Sequence, residues 1–187
     1  KKRAHEYISK NRKVILHNNE VLLRENKQMF ETLFHEGFHA FAYNYLWIDG
    51  RRCVVPRWLD EGFACYYQES VVEAGYLIHG GVDADSIARL RDAKLGRKLV
   101  PLSKIVAGDA RDFLVAANKS GEHSGIYYAQ SWALVHYMLQ HVTVDQIQAY
   151  LRRLNGGTDP GKAFEKLMGQ SMAQVDAAVM LHVGKLD

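Results

Sequence analysis

Phe30 to Phe41 reads FETLFHEGFHAF, placing two histidines and a glutamate inside an apolar run. Apolar residues at Met29, Phe30, Leu33, Phe34, Phe38, Phe41 and Ala42 recur at helical spacing, and the pattern predicts a helix from Asn26 to about Tyr45. Because it is apolar on more than one face, it is expected at the centre of the fold. Four residues separate His35 from His39, which on a helix puts both imidazoles on one face a turn apart, close enough to share an ion. Glu36 lies about 100° around from His35, aimed at a water on such an ion rather than at the ion itself. Two satisfied core histidines would be the plainer reading of the same spacing.

A second stretch speaks against the plainer reading. PRWLDEGFACYY, Pro56 to Tyr67, predicts a helix running to about Glu69, with Pro56 in its first turn and Glu61 near its start. Catalytic zinc commonly takes two histidines and a glutamate and leaves a fourth position for water. Glu61 completes that set, although a solvated first-turn carboxylate would also suit the helix dipole.

Together, HEGFH and WLDEGFA resemble the paired motifs of the gluzincin metallopeptidases, including aminopeptidase N and its relatives. YYAQSWALVHYML, Tyr127 to Leu139, is similar to a helix of the peptidase MA-like group, so the likeness covers roughly Phe30 to Leu139. The resemblance implies a gluzincin-like zincin catalytic domain that holds Zn2+ through His35, His39 and Glu61. It further implies Glu36 as general base, hydrolysis of a peptide or protein substrate, and a tyrosine that stabilises the oxyanion. Tyr128 is the matching position, with Tyr127 its neighbour; they point about 100° apart, so one of the two should reach the metal. The Gly-x-Met-Glu-Asn stretch that grips a free amine in the aminopeptidases has no counterpart in residues 1–34, so their substrate preference does not transfer.

Other residues are weaker candidates. His123 could donate to an oxyanion or contact substrate, whereas His79, His136 and His141 read as packing or solvated residues. Cys65 lies four residues beyond Glu61 but reads as a small buried hydrophobe, and Trp58 and Phe63 read as core. Gly62 would let helices approach closely, and Asp60 or Asp49 could orient a ligating imidazole. A metal-binding but inactive peptidase-like module is the alternative function; a closed structural site would require a fourth protein ligand.

The remainder of the chain frames these motifs. With 187 residues, 48% of them apolar, one domain is expected over 1–187. Its class is mainly α (α+β): a small β element in 1–25, zinc-site helices over 26–141 and C-terminal helices over 142–187. Residues 12–25 predict a hairpin turning at Asn18 and Asn19, the one convincing strand pair. Gly75, Gly80 and Gly81 mark a loop, Asp83 to Leu95 an exposed amphipathic helix, Ser103 the cap of a short helix, 118–125 a loop, and Ile126 to His141 an apolar helix. Capping boxes are expected at Thr143 with Gln146 and at Ser171 with Gln174, an N-cap at Asp159 before Pro160, and helix ends at Gly156, Gly157 and Gly169. A net charge of +3 implies no nucleic-acid surface, and no run is long enough to span a membrane. Cys53 and Cys65 exclude a disulfide-dense scaffold, and two free thiols are the simpler expectation. A chain beginning at Lys1 is expected to be an excised domain, with its targeting information elsewhere.

Overall fold

The computed structural model describes residues 26–47, 54–108 and 121–186, with the side chains of 121–123 left out. These residues are mainly helical with one small antiparallel sheet. Helix α1 (26–41) runs into a π-helical turn at Ala42–Leu46, closed by the Trp47 amide donating to the Ala42 carbonyl at 3.0 Å. Seven helices follow: α2 (Arg57–Gln68), α3 (Ala84–Leu95), α4 (Leu102–Ala107), α5 (Gly121–Met138), α6 (Val144–Asn155), α7 (Pro160–Met168) and α8 (Met172–Val183). Between α2 and α3, β1 (Val71–Glu73) pairs with β2 (Tyr76–Ile78), Val71 opposite Ile78.

The central element is α5. Tyr127, Ala129, Trp132, Ala133, Val135 and Met138 bury several of its faces, against α2 and α3 on one part and α8 on another. Gly62 sets the α2–α5 distance, because a Cβ there would lie 2.5 Å from the Ser131 carbonyl oxygen. The close approach that Gly62 allows is therefore to α5 rather than to α1. Trp58 reaches the other way, 5.7 Å from the Phe164 ring and 6.4 Å from Tyr150, and ties α2 to the C-terminal helices.

Several expectations are corrected. Helix α1 is peripheral among the described residues: Phe38, and Ala42 just beyond its end, are buried, whereas Met29, Phe30, Leu33 and Phe41 are exposed. Its attachment is one stripe, where Phe38 stacks on Phe63 and Tyr67 at 5.5 and 5.2 Å. The segment at Gly75 is a hairpin rather than a loop; Ala74 and Gly75, at φ +50° and +82°, make the tight turn, and alanine there lacks the usual Asn or Asp signal. Ser103 does not cap α4, which starts at Leu102 behind Pro101. Residues 121–125 are helical: Gly125 makes room for the Arg89 guanidinium, 2.5 Å from where its Cβ would sit, and does not break the helix. The hairpin expected over 12–25, Asp49 and Cys53 lie outside the described residues. Cys65 is a free, buried thiol.

The C-terminal punctuation is as expected. Capping boxes form at Thr143 and Ser171, Asp159 caps α7 ahead of Pro160, and Gly169 closes α7 at φ +65°. Helix α8 meets α5 through His136 Nδ1 and His182 Nε2, 2.8 Å apart. Burial pushes both imidazoles below the usual histidine range, and His136, His141 and Lys185 push His182 down further. At these two sites the unfolded chain then binds protons more readily than the folded one, so the pair's contribution to stability is full above about pH 6.5 and falls as pH drops below it. Thermal melts of metal-free wild type and His182→Gln between pH 7.5 and 5 should differ by this loss, the wild type losing more stability toward pH 5. An unchanged slope in that variant would show that the pair does not contribute.

Candidate metal centre

Helices α1 and α2 meet through the Phe38 stack, and that contact carries His35 and His39 over Glu61. His35 Nε2 lies 3.3 Å and His39 Nε2 3.6 Å from the same carboxylate oxygen, Glu61 Oε2. One ligand atom from each residue falls within 4.8 Å of the others, so the three form a group that could hold a metal ion. Both Nδ1 atoms face away toward acceptors. His39 Nδ1 lies 3.1 Å from Asp60 Oδ2, and His35 Nδ1 3.2 Å from Gln68 Oε1. With each Nδ1 directed at such an acceptor, the neutral imidazoles would turn their Nε2 lone pairs to an ion, as partners behind ligating histidines usually arrange. Asp60 is itself held, since its other oxygen accepts from the Trp47 indole at 3.4 Å.

Glu61 is 1% exposed, and its Oε1 pairs with Arg57 one turn earlier on α2. Its Oε2 has no hydrogen-bond partner. In the metal-free site a protonated His39 offsets the charge on that oxygen, and a cation between it and the two imidazoles would take over that role. Burial alone would raise the Glu61 pKa, but the two imidazoles and the Arg57 charge hold it down to about 2, so the carboxylate is ionised. Asp60 and then Glu61 raise His39 to about 10 in the metal-free site, so an ion would have to displace a proton there. The donor set, two imidazole nitrogens and one carboxylate oxygen, suits a borderline divalent ion.

The centre opens into a cleft of about 810 Å³. Glu36 and Tyr128 line it with the three ligand candidates. Tyr127 does not; its hydroxyl donates to the Ile105 carbonyl at 3.4 Å within the core. The Tyr128 hydroxyl is held above the usual tyrosine pKa by burial and then by the Glu61 charge, so it is protonated. His123 lies outside the described side chains. His79 bonds Tyr66, His136 bonds His182, and His141 meets the Tyr137 carbonyl, so none of these three reaches the centre. Cys65 stays out of the triad, its thiol pushed up to about 12 by burial.

Sequence reasoning missed Arg57, Gln68 and Trp47. Arg57, Glu61, Cys65 and Gln68 are spaced four, four and three along α2, one stripe facing α1, so the first two were findable once Glu61 was taken as a ligand. Asp60→Asn and Gln68→Ala should each weaken divalent-ion affinity about 10- to 100-fold without loss of helicity. Competition against a chromophoric chelator measures this; wild-type affinity in both variants would remove them from the site.

No curated protein and no solved structure matches the chain. A family model does, over residues 29–158, which include the triad, Glu36, Asp60, Gln68 and Tyr128. The chain belongs to the family described as Protein of unknown function (DUF1570).

Proposed function

We propose that the protein is a zinc-dependent metallopeptidase of the gluzincin type. The observation that carries the reading is Glu61 Oε2, buried and outside any hydrogen bond, converging with two Nε2 atoms, with Glu36 on the wall of the same cleft. The paired motifs HEGFH and WLDEGFA support it independently. His35, His39 and Glu61 would hold the ion and leave a position toward the cleft.

When bound, zinc acts as a Lewis acid, lowering the pKa of a water toward ~7 and polarising a carbonyl. Glu36 accepts a proton from the water as its oxygen attacks the carbonyl carbon, and returns that proton to the leaving amine as the C–N bond breaks. The Tyr128 hydroxyl, protonated at neutral pH, donates to the oxygen that takes up negative charge. Arg57 keeps Glu61 ionised and aimed, and Asp60 and Gln68 hold the imidazoles in register.

Chelation should abolish hydrolysis of a peptide library, and Zn2+ should restore it. Glu36→Gln should keep one equivalent of metal while turnover falls about 10²- to 10⁴-fold. Tyr128→Phe should lower turnover about 10²- to 10³-fold. Metal binding without peptide cleavage by the wild type would favour a binding module instead; wild-type turnover in Glu36→Gln would remove the base.

A further inference from the structure

We propose that the metal centre lies part-way along a groove that takes an extended peptide in mid-chain, so that both substrate termini lie away from the centre. This rests on the peptidase reading above and adds the class of substrate, an internal peptide bond. The cleft at the centre extends past Ala40 to Tyr43, Asn44 and Trp47 on one side. A second cavity, about 490 Å³, has His35 and Tyr128 as walls in common with it and runs toward Glu69, Asp85 and Arg89. A third, about 290 Å³, shares Lys27, Glu31, Gln68 and Glu69 with the second and ends against Phe34, Val71 and Val72. The first two cavities are each within the size range of pockets that enclose a drug-sized ligand, so several residues fit on either side of His35.

The charges at the centre point the same way. An enzyme that trims termini needs a fixed charge near the metal to meet the free amine or carboxylate. Here Arg57 is paired with Glu61, and Asp60 is held by His39 and Trp47. Glu36 has the general-base role. Among the described residues, the acidic and basic groups that line the central cleft are thus committed to the site itself, and recognition falls to the walls of the flanking cavities.

The test measures binding and cleavage separately. Peptides of 4, 8 and 12 residues, acetylated and amidated, are titrated by fluorescence anisotropy into zinc-loaded Glu36→Gln protein. Affinity should rise at least about tenfold from the shortest to the longest. Tyr43→Lys and Val72→Lys, at exposed positions on opposite arms, should each reduce that gain. Mass spectrometry of wild-type digests should find the blocked 12-residue peptide cut internally. Affinity independent of length, or cleavage confined to peptides with a free terminus, would overturn the groove while leaving hydrolysis standing. Length-dependent binding with every peptide left intact by the wild type would keep the groove and sink the hydrolytic reading.

Discussion

A carboxylate that is almost fully buried, with one of its oxygens outside any hydrogen bond and facing two imidazoles, constrains this molecule more than any other feature. Glu61 is ionised, and Arg57 compensates its Oε1. Its Oε2 faces two imidazole nitrogens. Burying a charge costs several kcal/mol unless it is paired. The polar groups around Glu61 make sense as a cage completed by a divalent ion, with Asp60 and Gln68 turning the imidazoles and Trp47 fixing Asp60.

The scaffold seats those side chains firmly. Gly62, next to Glu61, lets α2 lie against the α5 backbone, so the ligand helix is seated on the most buried element of the fold. Trp58 anchors the opposite face of α2 between Tyr150 and Phe164. Helix α1 is held more lightly, by Phe38 between Phe63 and Tyr67, so two of the three candidate ligands ride on a helix that buries one narrow stripe. An ion shared between α1 and α2 would add a second clamp across that interface and couple metal binding to the docking of α1.

How much of this was readable in the chain depended on the range of the interactions. Local rules succeeded: capping boxes at Thr143 and Ser171 and the cap at Asp159 are set by residues three apart, and they form as the sequence indicates. The grouping of His35, His39 and Glu61 was legible because helical spacing and one known ligand set constrain it. Rules of composition failed where tertiary contacts decide. Gly125 looks like a loop residue but is a packing concession to Arg89, and Ala74 turns a hairpin without a turn residue's side chain. The apolar surface of α1 reads as a core helix although most of it is exposed among the described residues. Gln68 shares the α2 stripe of Glu61, but nothing local to it announces which histidine, 33 residues earlier, it will meet.

The central claim is the ligand set, and X-ray absorption at the zinc edge of metal-loaded protein tests it most directly. The account predicts a first shell of nitrogen and oxygen at ~2.0–2.1 Å with the outer-shell signature of two imidazoles and no sulfur, and loss of one imidazole contribution in His39→Ala. A sulfur scatterer at ~2.3 Å, or a shell unchanged in that variant, would contradict it.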